Sequence, residues 1–287
     1  MPELPEVEIV KRSLKNKVRY KKIKKVIISN RNLRFKVPKK FENNLKNKSI
    51  VKVERFSKYI ILILNNKKYC IIHLGMSGTL HLVNYGKKNL TTNLSFYHSR
   101  ALPIKHNHIK IKFSKFMLVY NDPRRFGFFK ILNTKEELKN YFSKYGPEAI
   151  SNEINYKYLK IKLENKEKNI KNFLLDQNYI SGIGNIYANE ILFHSKINPF
   201  KKCKKINKNQ IIKLIKNLKT VLNLAIKLGG SSIRDFKNTH GVGGLFQNEF
   251  KVYGRENKNC IRLNCKGKIH KIFISNRSTF FCNICQK

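Results

Sequence analysis

The sequence predicts a multidomain α+β chain with a β-rich N-terminal part led by one helix, a helical middle part, and a small cysteine-bearing C-terminal part. Three observations carry that prediction. Short runs rich in Val, Ile, Phe and Tyr follow one another at close spacing through residues 1–133, as in a sandwich or barrel. From Thr134 the apolar residues recur every three to four positions, which is the helical period. Four of the six cysteines gather at the C-terminal end in two close pairs. A chain of 287 residues has room for about two domains of ~150 residues and a sizeable core. The changes of character place the boundaries at 1–133, 134–250 and 251–287.

Along the chain, Val7, Val10, Leu14 and Val18 form one helical face, and Pro5 suits the first turn of that helix. Strands are expected at Lys25–Ser29, Ile50–Phe56, Tyr59–Leu64, Tyr69–Leu74, Thr79–Val83, His108–Phe113, Phe116–Tyr120 and Phe128–Leu132. Gly, Asn and Pro punctuate them. Thr134-Lys-Glu-Glu137 is a capping box that opens a helix, and Gly146-Pro147 breaks the pattern. Helices then follow at Ile170–Asp176, Ile186–His194 and Lys208–Leu228, the last closed by Gly229-Gly230.

Composition narrows the function. Lys and Arg number 61 against 17 Asp and Glu, a formal net charge of +44. Neither a membrane patch nor an acidic small molecule calls for so much positive charge; the fitting counter-ion is a polyphosphate chain, DNA or RNA. Part of the excess reflects the Lys, Asn and Ile crowding that an A+T-rich coding sequence produces. With 41% apolar residues the chain has material for a core, so disorder is excluded. No apolar run approaches the ~18 residues of a membrane helix. The start MPELPEVEIV is acidic and lacks a basic-then-apolar leader, so a cytoplasmic location is expected.

The cysteine spacing is Cys260-x4-Cys265, sixteen residues, then Cys282-x2-Cys285. Two close pairs at this separation bring four thiolates around one tetrahedral Zn²⁺. The stretches Lys268–Ile274 and Ser278–Phe281 alternate as a hairpin does, so a zinc ribbon with one structural Zn²⁺ is expected. A tail this small needs such a staple. The ribbon carries Arg262, Lys266, Lys268, Lys271 and Arg277, a phosphate-facing set. Cys70 and Cys203 read as packing or surface residues.

At the N-terminus, removal of Met1 leaves Pro2 with a secondary amine. Attack by that amine on a sugar C1′ gives an iminium ion, an electron sink for later elimination. Glu3 beside it is placed to donate a proton. Alone, Met-Pro-Glu is commonplace.

Five further segments change its weight. They are Phe56-Ser-Lys58-Tyr59, Ile72-His-Leu-Gly-Met76-Ser-Gly78, Asp122-Pro-Arg124-Arg-Phe126-Gly127, Ile183-Gly-Asn185-Ile-Tyr-Ala-Asn189-Glu190, and Arg277-Ser-Thr-Phe-Phe-Cys282 with the cysteine tail. Together with PELPEVE they run in order over the whole chain, which closely resembles bacterial formamidopyrimidine-DNA glycosylases, repair enzymes of 8-oxoguanine. The resemblance implies an N-terminal β-sandwich with a flanking helix, a helix–two-turn–helix domain and a C-terminal zinc ribbon, with DNA crossing between them. It implies a monomer that acts on double-stranded DNA containing oxidised bases, excises an oxidised purine and then cleaves the backbone at the abasic site.

By the same resemblance, Pro2 is the nucleophile, Glu3 the proton donor in ring opening, and Glu6 a polarising or positioning group. Lys58 is the acid or base of β-elimination, and Arg277 serves the second elimination and a phosphate near the lesion. Met76, Arg124 and Phe126 fill the hole left by the flipped nucleotide, an apolar wedge being a known way to hold a kink. Asn185, at a Gly-rich turn feeding a helix N-terminus, meets a phosphate, and His106 contacts DNA. The glycine-bearing stretch Gly241–Gln247 reads as a mobile loop that closes over the flipped base. Two departures stand out. The first cysteine pair is spaced by four residues instead of two, so residues Ile261–Asn264 are expected to bulge. In Lys166-Glu167-Lys168-Asn-Ile-Lys171 an acid stands where a basic DNA contact is usual, which leaves the DNA contact of Lys166 open.

Two rivals are discriminable. Chains resembling endonuclease VIII remove oxidised pyrimidines with the same Pro2 chemistry, but start PEGPE and lack the separated Met76, Arg124 and Phe126 set. A non-catalytic DNA-binding protein on the same scaffold needs none of Pro2, Glu3, Lys58 and Arg277.

Overall fold

The computed structural model describes residues 2–85, 103–231 and 244–287. Its contacts divide the chain into two compact units, 1–143 with 228–247, and 144–227 with 248–287.

The first unit opens with α1 (Leu4–Val18), which buries Val7, Val10, Leu14 and Val18 on the expected face, with Pro5 in its first turn. After α1 come β1 (Lys25–Ile28), α2 (Phe41–Leu45), β2 (Ile50–Phe56), β3 (Tyr59–Leu64), β4 (Tyr69–His73) and β5 (Thr79–Asn84). A 3₁₀ turn (Ile104–His106) leads into β6 (Asn107–Lys112), β7 (Phe116–Asn121) and β8 (Phe128–Leu132). The strands form two four-stranded antiparallel sheets ordered β1-β6-β7-β5 and β2-β3-β4-β8. One core unites both sheets with α1 and α2, through residues such as Val10, Phe41, Ile60, Ile72, Ile109 and Phe129. The architecture is a β-sandwich with a flanking helix. Two crossings matter below: β4 to β5 and β7 to β8 each pass from one sheet to the other. β4 pairs with β8 and β5 with β7.

Helix α3 (Lys135–Phe142) begins at the predicted capping box, where the Thr134 hydroxyl accepts from the Glu137 N–H at 3.0 Å. The sequence boundary at 133 assigns it to the helical part. The structure groups it with the sandwich, because its C-terminal aromatics pack there. The Phe142 ring lies 4.7 Å from Phe56 and 5.3 Å from Tyr59. The described residues 228–231 and 244–247 also fall in the first unit and not with the helices that precede them.

The second unit contains α4 (Tyr156–Leu163), α5 (Ile170–Leu175), α6 (Asn185–His194) and α7 (Lys208–Lys227), then the hairpin β9 (Ile269–Ile274) and β10 (Arg277–Cys282). Tyr187 to Phe193 of α6 are all buried, so this helix is the hub on which its neighbours pack. The hairpin turn is Ser275-Asn276, both at positive φ (47° and 58°), the two-residue geometry whose twist matches the flanking strands. Helix α6 starts one residue earlier than its periodicity suggests, with Gly184 as N-cap.

Candidate functional site

In the first unit the site begins at the head of α1. Pro2, Glu3 and Glu6 are all buried. Glu3 is the N-cap, and its N–H donates to Glu6 Oε2 at 2.9 Å. Glu6 Oε1 accepts from both the backbone N–H (2.8 Å) and the hydroxyl (3.0 Å) of Ser231. One carboxylate therefore fixes the Pro2–Glu3 entrance and anchors a segment 225 residues away in sequence.

Lys58 sits in the two-residue turn Ser57-Lys58 between β2 and β3, with Ser57 at φ 53°, and is buried. That turn is tied to α1 by two residues that carry no role in the sequence reading. Arg55 donates from Nε to Glu8 Oε2 at 2.9 Å and from Nη1 to the Ser57 carbonyl at 2.9 Å. Burial raises the Glu8 carboxyl, but hydrogen bonds from Arg12, Lys11 and Arg55 outweigh it and hold the group down at about 2.

His73, also without a role in the sequence reading, ends β4. Its Nδ1 accepts from the Gly75 N–H at 3.0 Å, and its ring stacks on Phe128 at 5.3 Å. Burial, with the charges of Lys58 and Arg34, lowers it to about 4, so the ring is neutral near pH 7. His73 lines a cavity of about 670 Å³ together with Arg34, Gly75, Met76, Arg124 and Phe126. Met76 and Phe126 are 40% and 42% exposed, and the Arg124 guanidinium lies 4.6 Å from the Phe126 ring centroid. The three predicted filler residues thus share one wall. Half-buried His106 lies in the 3₁₀ turn before β6, and its carbonyl accepts from the Asp122 N–H at 3.0 Å. Burial and the charges of Lys105 and His108 lower its imidazole against an opposing pull from Asp122.

In the second unit, Arg277 opens β10 beside the hairpin turn and is exposed. The strand behind it is gripped by buried polar groups. Lys171, fully buried, donates to the Ser278 carbonyl at 2.9 Å and to Thr279 Oγ1 at 2.7 Å. Asn185 Nδ2 donates to the same Ser278 carbonyl at 2.9 Å, and Asn189 Oδ1 accepts from the Phe280 N–H at 2.8 Å. Asn185 and Arg277 therefore belong to one small platform. Glu190, one turn along α6, accepts from the N–H groups of Lys251, Val252 and Tyr253 at 2.8–3.0 Å and holds the entry to the ribbon. Glu167 pairs with Lys202 and Lys204, which pull its carboxyl down to about 2. The acid thus engages other lysines, while Lys166 lies half-buried with Nζ 6.0 Å from the Tyr179 ring centroid.

The four sulfurs of Cys260, Cys265, Cys282 and Cys285 lie within 4.8 Å of one another. Cys260 and Cys285 are 3.8 Å apart, and Cys265 and Cys282 3.6 Å. A tetrahedral Zn–S₄ site with bonds of about 2.3 Å has S···S edges of about 3.8 Å, so geometry and soft donors fit one structural Zn²⁺. The widened knuckle protrudes as expected: Leu263 is 92% exposed and Ile261 47%. Of the Gly241–Gln247 loop, residues 241–243 lie outside the described residues, as does Met1.

With the geometry in place, the whole chain can be set beside known proteins. The family model for the formamidopyrimidine-DNA glycosylase N-terminal domain matches residues 1–129, and that for the H2TH domain of the same enzymes matches residues 145–237. The chain belongs to the formamidopyrimidine-DNA glycosylase family. It is 39% identical over 287 residues to the protein of that name from Wolbachia sp. subsp. Drosophila simulans (strain wRi), with all of both chains covered. It is 40% identical over 290 residues to that of Rickettsia bellii, again with all of both chains covered. Among solved structures, Lactococcus lactis Fpg in complex with DNA containing an abasic site aligns at TM-score 0.87 and 33% identity, covering 99% of each chain. The same enzyme in complex with Fapy-dG DNA aligns at TM-score 0.87 and 33% identity, covering 99% of this chain and 100% of that one. The family's fold and its zinc ribbon agree with the sandwich, the helices around α6 and the four-cysteine cluster described above.

Proposed function

We propose that this chain is a base-excision repair enzyme that removes oxidised purines from duplex DNA and then cleaves the backbone at the abasic site. The observation that carries the reading is the arrangement at α1. Pro2 precedes a buried Glu3 N-cap, and Glu6 clamps that entrance from one side while accepting from Ser231 on the other.

After loss of Met1, the Pro2 amine attacks C1′ of the damaged nucleotide as the base departs, and the iminium that forms drains electrons from C2′. Glu3 protonates the opening sugar ring, and Glu6 keeps Glu3 and Ser231 in register. Lys58, held by the Arg55 grip on its turn, serves proton transfer in β-elimination. Arg277 on its platform serves δ-elimination and a phosphate, and Asn185 and His106 contact the backbone. Met76, Arg124 and Phe126 occupy the vacated stack, offsetting about a few kcal/mol of lost stacking and pairing. Lys166 contributes a further phosphate contact. Cys260, Cys265, Cys282 and Cys285 would hold one Zn²⁺ that cross-links the two knuckles of the ribbon as a structural ion. The partner is double-stranded DNA with oxidised bases, and the enzyme works as a cytoplasmic, nucleoid-associated monomer. Among the described residues no helix is long and apolar enough to cross a membrane.

Borohydride reduction on lesion duplexes tests this. An 8-oxoguanine duplex is expected to give a covalent adduct in high yield, and a thymine glycol duplex much less. Preference for thymine glycol would assign the chain to the pyrimidine class. No adduct with either, despite tight binding, would make it a non-catalytic binder.

A further inference from the structure

The loops carrying the filler residues are joined by a buried acid that has no part in the chemistry above. Asp122 is fully buried. Its Oδ1 accepts from Ser77 Oγ at 2.5 Å and the Arg124 N–H at 3.2 Å. Its Oδ2 accepts from Tyr120 Oη at 2.7 Å and the Gly127 N–H at 2.9 Å. Four donors converge on two oxygens, one from strand β7 and the others from both crossings between the sheets. Ser77 lies in the β4–β5 crossing beside Met76. Arg124 and Gly127 lie in the β7–β8 crossing and flank Phe126.

Backbone packing reinforces the junction. A Cβ on Gly75 would come within 2.4 Å of Phe126 C and Gly127 N, and one on Gly127 within 1.9 Å of Tyr120 Oη. At Gly75 the two crossings approach main chain to main chain. Tyr120 is secured as a donor, since burial and the neighbouring Asp122 push its phenol well above the usual range.

We infer that Asp122 is a positioning residue that locks the two crossings into one body, so that Met76, Arg124 and Phe126 enter the duplex as a unit. The inference rests on the filler role proposed for those three residues. Its chemistry explains why a carboxylate is required. An amide of the same shape has one NH₂, and wherever that group is placed it faces a backbone N–H, Arg124 on one side or Gly127 on the other. Neither can rotate to become an acceptor. The β7–β8 crossing must then reshape around the amide and lose its fit to Ser77 and the β4–β5 crossing, and misplacement of about 1 Å at a functional group costs up to about a hundredfold in rate.

The test uses full-length, zinc-loaded enzyme under single-turnover conditions with two duplexes, one containing 8-oxoguanine and one a preformed abasic site. Extruding an intact, paired base demands more of the wedge than extruding a sugar without one. Asp122→Asn is therefore expected to slow 8-oxoguanine excision about tenfold to a hundredfold while slowing abasic incision less than about threefold. Ser77→Ala removes one donor and is expected to shift the same ratio in the same direction by about threefold, with an unchanged circular dichroism spectrum. If Asp122→Asn does not fold, Ser77→Ala decides. Equal slowing of both substrates, or no change in a folded variant, overturns the inference and leaves the functional reading standing. A wild-type enzyme inactive on both duplexes overturns both.

Discussion

The two units hold their functional residues by different physical means. The sandwich rests on one large apolar core that joins two sheets and two helices, and its polar clamps sit at the edge of that core. The ribbon rests on a small cluster built from Phe193, Val252, Cys260, Ile269, Phe280 and Cys282, supplemented by Lys171, Asn189, Glu190 and the four thiols. Where apolar area is scarce, buried hydrogen bonds and a metal supply the order. The comparison teaches that the residues assigned to C1′ chemistry and those assigned to phosphates should fail separately.

The largest expected separation comes from the metal. A strong chelator, or Cys265→Ala, is expected to abolish DNA cleavage, because apo ribbons lose the folding free energy of binding. The cooperative unfolding of the sandwich should persist, as hydrogen exchange resolved by peptide would read. Elemental analysis should find one zinc per chain in active protein, and less than about half would contradict the assignment.

Glu3→Gln should do the converse, lowering base excision by about a hundredfold or more while DNA affinity and zinc content stay unchanged. Filter binding beside single-turnover excision checks it. Loss of affinity in proportion to activity would move Glu3 from chemistry to binding.

A smaller effect sharpens the account of the sandwich through pH. The Glu8 carboxyl is held at about 2, below its unfolded value, so its contribution is complete above the unfolded value and is lost as pH falls toward 2. His73 and His81 are lowered by burial to about 4, so their contribution is lost earlier, as pH falls from about 6.5 toward 4. Glu8→Gln should cost about 1.5–3 kcal/mol at pH 7 and flatten only the lower step. Thermal melts from pH 7 to pH 3 would show it. The smallest effect concerns charge. With about six phosphate contacts, log K against log salt should slope near −5 despite the formal charge of +44. A slope beyond about −10 would mean that binding spreads over a far larger surface.

Much of this architecture is legible in the amino-acid sequence alone. The eight strands of the sandwich stand out because short apolar runs recur at close spacing, with Gly, Asn and Pro punctuating most of them. The Thr134 capping box and the cysteine spacing are local patterns with local causes. Helices α2 and α4 are not legible: five residues cannot display a period, and α4 buries only Leu159 and Leu163 in a lysine-rich stretch. Candidate site residues are visible where a motif gathers them, as in Asp122–Gly127. Their supports are not, since a hydrogen bond between Ser77 and Asp122 spans 45 positions and that between Lys171 and Thr279 spans 108. Partners so far apart leave no trace in periodicity or spacing. A buried lysine in a chain this rich in lysine reads as one more surface charge until its burial is seen.

We place the C1′ chemistry in the first unit, at the Pro2 nitrogen in particular. Borohydride trapping on an abasic duplex, followed by proteolysis and mass spectrometry of the cross-linked peptide, tests it directly. The adduct is expected to map to the N-terminal peptide at Pro2, and an uncleaved N-terminal tag is expected to abolish it. An adduct on Lys58, or normal trapping yield with the N-terminus blocked, would contradict it.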